Sequence, residues 1–105
     1  MIIHQVFFWL KNPQDTAARD RLIAGIRAMA VIPEIRALRV GTAAGTESRD
    51  VVDASFDVSE TMEFASLAGQ KAYQDHALHR AFAASYGELW DRVVVYDIAV
   101  SDSEG

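Results

Sequence analysis

The sequence contains no cysteine, which excludes disulfides, thiolate zinc centres and a cysteine nucleophile together. Positive charge is scarce as well. Ten lysines and arginines stand against fifteen acids, a formal net charge of −5, and the basic residues are scattered along the chain. Such a surface has no electrostatic footprint for nucleic acid or for an anionic membrane. Long hydrophobic runs are missing too. Stretches such as FFWL (residues 7–10) and VVVY (93–96) are far too short to span a bilayer. The N-terminus has neither the basic start nor the cleavage pattern of a signal peptide, so the cytoplasm is the expected location. What is present is ordinary for a globular protein: 105 residues, half of them hydrophobic and 24% charged. This length supports one domain with one core and no need of a metal or disulfide to staple it. Disorder is expected only in the SDSEG tail, residues 101–105.

The periodicity of the apolar residues orders the elements. IIHQVFFWL (2–10) is rich in β-branched and aromatic residues and stops at Lys11-Asn12-Pro13, as a strand ending in a turn does. Asn12 is placed to cap a helix, with Pro13 in its first turn and Asp15 near the positive end of the dipole. Leu22, Ile26 and Met29 recur at helical spacing up to Pro33, which predicts a helix over about 14–31. From Ile35 the chain alternates through Leu38 and Val40 and loosens at GTAAGT, a strand running into a turn. VVDASFDV (51–58) alternates again and reads as a half-exposed strand. Ser59 or Thr61 then begins a helical region through Met62, Phe64 and Leu67, interrupted at Gly69. Leu78, Phe82, Tyr86 and Leu89 predict a further helix over about 76–90, and RVVVYDIAV (92–100) is the last strand. This order fits the α+β class: a ferredoxin-like antiparallel sheet with helices on one face.

The outer strands bear on assembly. His4, Val6, Phe8 and Leu10 share one face of the first strand, while Ile3, Gln5, Phe7 and Trp9 share the other. In the last strand Val93, Val95 and Ala99 oppose Val94, Tyr96, Ile98 and Val100. One layer of helices covers one face only, and the remainder is a larger apolar patch than soluble monomers usually expose. The expected partner is a second copy of the chain, packed sheet to sheet with two-fold symmetry. Trp9 and Trp90 are expected in that interface or in the core.

Two of the three histidines lie in YQDHALHRAF (73–82). On one helix Tyr73, His76 and His79 fall on a single stripe and line one cavity. An imidazole accepts and returns a proton near neutral pH, and a phenol beside it donates a hydrogen bond to a developing oxyanion. Together these functions abstract a proton next to a carbonyl and stabilise the enolate. Asp75, four residues before His79, is placed to orient its ring. His4, with Val6 and Phe8 on the same strand face, borders such a pocket, and so do His76 and Phe82. Two other uses of these residues stay open. The side chains can plug the fold and satisfy one another with hydrogen bonds. Alternatively His4, His76 and His79 can make a three-histidine metal site, although no strong ligand spacing such as HExxH accompanies them, and no metal or cofactor is expected. Asp97, in the middle of the last strand, is expected at an edge or paired with a neighbouring base, and Arg80 and Arg92 in solvent. GTAAGT lacks the Lys-Ser/Thr ending and following helix of a phosphate loop.

The opening IIHQVFFWLK, the VIPEI segment (31–35), YQDHALH (73–79) and the closing RVVVYDI (92–98) together resemble the stress-responsive A/B barrel family. The usual family pattern there is Tyr, two residues, then His-Pro-x-His; Ala77 stands where the proline is usual. The resemblance covers nearly the whole chain and implies a dimeric α+β barrel with a pocket between helices and sheet for a small hydrophobic ligand. It implies no single activity, since the family holds plant polyketide cyclases, stress-linked proteins and bacterial members of unknown role. In the cyclases such a tyrosine and histidine act as hydrogen-bond donor and base in aldol or Claisen ring closure, and Tyr73 and His79 match those positions. A cofactor-free monooxygenase and small-molecule binding without turnover are also compatible with such a pocket.

Overall fold

The computed structural model describes residues 1–101; most of the expected tail, residues 102–105, lies outside them. Strand β1 spans Ile2–Leu10, helix α1 Thr16–Ala28, strand β2 Ala37–Gly41, strand β3 Val58–Phe64, helix α2 Leu67–Asp75, helix α3 Ala77–Tyr86 and strand β4 Trp90–Ala99. Short 3-10 turns follow α1 (Met29–Val31) and α3 (Gly87–Leu89). The four strands form one antiparallel sheet in the order β2-β3-β1-β4. Helices cover one face of it, the expected ferredoxin-like α+β arrangement. Among the described residues no helix is long and apolar enough to cross a membrane.

The two central strands set the core. Along β1 burial alternates strictly, and so it does along β3, where Val58, Glu60, Met62 and Phe64 point to the helices. Leu22, Ile26 and Met29 from the α1 region, Tyr73 from α2 and Phe82 from α3 close over them. Tyr86 lies so close to α1 that a Cβ added at the buried Gly25 would meet its ring carbons at 2.6–2.9 Å. Gly25→Ala is therefore expected to destabilise the fold by about 1–3 kcal/mol through overpacking, read as a lower midpoint in urea unfolding. An unchanged midpoint would mean that Tyr86 swings away freely.

Three boundaries differ from the sequence reading. Asp15, not Asn12, caps α1, accepting from the backbone N–H of Ala18 at 3.0 Å. Asn12 instead closes a turn onto the N–H of Gln14 at 3.2 Å, so the helix starts later than expected. Residues 51–57 form no strand. Asp53 accepts the N–H of Ser55 at 2.9 Å, and Asp57 accepts the N–H of Leu10 at 2.8 Å. These carboxylates hold turns that compete with ladder pairing. The strand lies directly after them, where a helix had been expected. Gly69, expected as an interruption, sits in the first turn of α2 and gives its N–H to Ser66 at 3.1 Å.

Two surfaces of the sheet stay uncovered. On the face away from the helices lie Phe7, Trp9, Tyr96 (59% exposed) and Ile98 (47%). The 42–57 segment covers part of this face, with Phe56 edge-on to Phe7 at 4.9 Å and Ser55 accepting from Trp9 at 3.0 Å. Arg92, exposed as expected, also lies over the Trp9 ring at 4.2 Å. On the helix side, β4 extends beyond the reach of the helices, leaving Val93 and Val95 partly open.

Candidate functional site

Beside this open stretch of β4, a pocket of 160 Å³ enters between sheet and helices. Val6 and Phe8 from β1 and Val93 and Val95 from β4 form its sheet side; Tyr73, His79, Phe82 and Ala83 form its helix side, with Trp90 at one end. The polar groups converge at one place. Tyr73 is 1% exposed, and its ring meets His79 edge-on at a centroid distance of 4.7 Å, His4 at 5.6 Å and Phe64 at 5.1 Å. Beneath Tyr73, His4 gives its Nδ1–H to the Asp97 carboxylate at 2.5 Å, directly across the β1–β4 ladder. Its Nε2 faces Oε2 of Glu60 at 3.8 Å.

Burial governs the charge states. Glu60, on the core side of β3, has its carboxyl pushed up to about 8 by desolvation. Tyr73 is held as the neutral phenol, first by burial and then by the negative charges of Glu60 and Asp97. His79 is moved below its usual value mainly by desolvation, with His4 acting in the same direction and Gln74 opposing. The pocket therefore presents a neutral imidazole and a phenolic donor at neutral pH.

The sequence-derived residues divide cleanly. Val6, Phe8, Tyr73, His79 and Phe82 all line the pocket, and His4 sits one layer below it against Tyr73. His76 does not join them. It occupies the break between α2 and α3 in extended conformation (φ −66°, ψ 141°) and turns its Nδ1 to the N–H of Leu78 at 3.0 Å. The single helical stripe through Tyr73, His76 and His79 is thereby corrected to two helices, with Tyr73 on one and His79 on the next. Asp75 does not orient His79 either. It pairs with Lys71 at 2.7 Å, and the polar neighbour of His79 is the Gln74 amide at 3.5 Å. Among the described residues no group of three or more histidines and acids is placed to hold a metal ion. Asp97 meets both parts of its expectation: it lies on the edge strand β4 and pairs with a base, the His4 imidazole.

Sequence reading missed Glu60 as a site residue. The signal was available: in VSETMEF a glutamate occupies one position of an otherwise apolar alternation.

The family described as the stress responsive A/B barrel domain (Dabb) matches residues 2–100. The chain belongs to this family. Among solved structures, a Dabb family protein of ferredoxin-like fold from Mesorhizobium loti is 20% identical, with a TM-score of 0.78, and the likeness covers 96% of this chain and 97% of that one. A dimeric ferredoxin-like protein of unknown function from Thermobifida fusca is 23% identical, with a TM-score of 0.77 over 94% of this chain and 90% of that one. A hydroxynitrile lyase from Passiflora edulis is 22% identical, with a TM-score of 0.81 over 99% of this chain and 96% of that one. At these identities the likeness concerns the fold of the A/B barrel domain. The curated proteins contain no match to the chain.

Proposed function

We propose that this A/B barrel domain protein binds a small carbonyl or aromatic compound between helices and sheet and performs acid–base chemistry on it. The observation that carries the reading is the edge contact of Tyr73 and His79 in a pocket whose remaining lining, Glu60 apart, is apolar. His79 takes the proton from a carbon next to the carbonyl. The C–H pair becomes the C=C bond of an enolate, and the carbonyl oxygen gathers its charge against the Tyr73 hydroxyl. The enolate then attacks a second carbonyl of the same molecule, whose C=O π pair becomes an alkoxide; in aldol closure the alkoxide takes the proton back from His79, and in Claisen closure it re-forms the carbonyl and expels the thiolate of the thioester, which takes that proton. A pocket of 160 Å³ is smaller than the roughly 300–1,000 Å³ of typical ligand sites, so it suits a ring-sized compound. The resemblance to polyketide cyclases supports this use of Tyr73 and His79. The hydroxynitrile lyase of the same fold supports reading the pocket as reactive.

The deciding experiment is a turnover screen of short β-keto thioesters and aryl carbonyls with the parent, His79→Ala and Tyr73→Phe. Turnover by the parent that is lost in His79→Ala sustains the proposal. Ligand binding with no turnover by any form reduces it to a binding function.

The working form is further proposed to be a homodimer, joined through the open sheet face. Phe7, Trp9, Tyr96 and Ile98 supply the apolar surface, and the Thermobifida fusca neighbour is described as dimeric. Light scattering at micromolar concentration should give twice the chain mass. Tyr96→Asp should dissociate the pair, since burying an unpaired carboxylate costs several kcal/mol. The monomer mass alone for the parent would remove the sheet-to-sheet arrangement.

A further inference from the structure

Glu60 occupies a position where packing alone would place an apolar side chain. On β3 its neighbours on the same face are Val58 and Met62, and its register partners are Val6 on β1 and Val40 on β2. It is 2% exposed, yet it borders the pocket, and among the described residues no group hydrogen-bonds its carboxyl. The titratable groups around it are His4 on β1 at 3.8 Å, Tyr73 on α2, His79 on α3 and Asp97 on β4, the last beyond His4. β2 offers only Val40, and no lysine or arginine lines the pocket. A carboxyl so enclosed has one outlet for its hydrogen-bonding capacity, which is a molecule in the pocket.

We propose that Glu60 selects the ligand: its carboxyl group donates a hydrogen bond to the oxygen of an uncharged carbonyl compound and turns carboxylates away. This rests on the reading above that the pocket takes a small carbonyl compound, and it adds a chemical class and a pH range. The carboxyl, pushed up to about 8 by burial, is an acid at neutral pH and a donor beside the Tyr73 phenol. Once ionised, it offers a carbonyl oxygen only repulsion. An organic anion is disfavoured in both states. With Glu60 neutral it finds no cation among the lining residues, and with Glu60 ionised it meets a like charge.

The test uses acetophenone and benzoate, matched in size and different in charge, with dissociation constants measured by NMR titration at about pH 6.5 and about pH 9.5. The parent is expected to bind acetophenone about tenfold more weakly at the higher pH, as the donor is lost on ionisation. Benzoate should bind at least about tenfold more weakly than acetophenone at the lower pH. Glu60→Gln keeps the shape and a donor but does not ionise, so its affinity for acetophenone should be the same at both values. Titration of the Glu60 carboxyl carbon in the unliganded parent gives a readout independent of ligand and turnover, expected near pH 8. Equal acetophenone affinity at both pH values in the parent overturns the proposal. So does an identical decline in Glu60→Gln, or benzoate binding as tightly as acetophenone. No acetophenone binding at the lower pH overturns it together with the carbonyl-pocket reading. The expected pH response with no turnover of any carbonyl leaves Glu60 as the selecting donor and removes only the acid–base chemistry.

Discussion

Glu60→Gln is expected to stabilise the protein by on the order of 3 kcal/mol at pH 7, and by almost nothing below about pH 4. The unfolded chain releases this proton at the ordinary value of 4.5, whereas the folded chain holds it to about 8. Below 4.5 both states are protonated and the carboxyl carries no pH-dependent penalty. Between the two values the unfolded state binds fewer protons, so stability falls by about 1.4 kcal/mol per pH unit. The loss is complete above about 8 and amounts to on the order of 5 kcal/mol. This is the reverse of a salt-bridged acid, whose stabilisation grows with pH. Glutamine does not titrate, so the gap between variant and parent should open steadily from about pH 4.5 to 8 in urea unfolding. A gap that stays constant would show that Glu60 ionises as in water. Against a total stability of roughly 5–15 kcal/mol for a domain, a cost of this size is the kind that the proposed role of Glu60 in the pocket would account for.

The readable parts of the sequence were those in which one local pattern had one outcome. β1 is rich in β-branched and aromatic residues over nine positions and stops at the turn signal Lys11-Asn12-Pro13, and β4 carries the same β-branched character; both appear close to where the pattern puts them. Leu22, Ile26 and Met29 face the core as their spacing requires. β3 was not readable locally, because VVDASFDV and VSETMEF adjoin and both alternate. The place of β3 between β1 and β2, paired with each, decided the matter, and that register is a long-range property. With the strand misplaced, Glu60 fell at a supposed helix start, where a glutamate is unremarkable, and its burial went unseen. The break at His76 was hidden for a related reason. Residue 77 is the first helical position of α3, where the proline usual in the family is well accommodated. Ala77 removes that signal, and the His76 imidazole caps the N–H of Leu78 instead. Tyr73 and His79 nevertheless meet, because their contact needs only that α2 and α3 lie against the same stretch of sheet.

That contact sets the second large expectation: His79→Ala should lose roughly 10² to 10⁴ in turnover, about 3 to 5 kcal/mol of barrier, while melting close to the parent. His79 is only partly buried at the pocket and hydrogen-bonds no core group, so its removal strands nothing. Tyr73→Phe isolates the hydroxyl. The Tyr73 ring meets His79 edge-on, so the phenylalanine keeps the packing and should cost little stability. It should still slow turnover by weakening the enolate. Had the two side chains served only as a mutually bonded plug, each substitution would leave a buried partner unsatisfied and cost about 1–3 kcal/mol. The pH profile separates the groups further. The proposed mechanism needs a neutral His79 as base, and burial holds its value below 6.5, so on that mechanism the acid limb of the rate should fall below pH 6.5. The alkaline limb should lie near 8, where Glu60 ionises, and Glu60→Gln should remove that limb alone. Variants of Tyr73 and His79 that melt well below the parent, with turnover of every screened carbonyl unchanged, would return both residues to the core and end the acid–base reading.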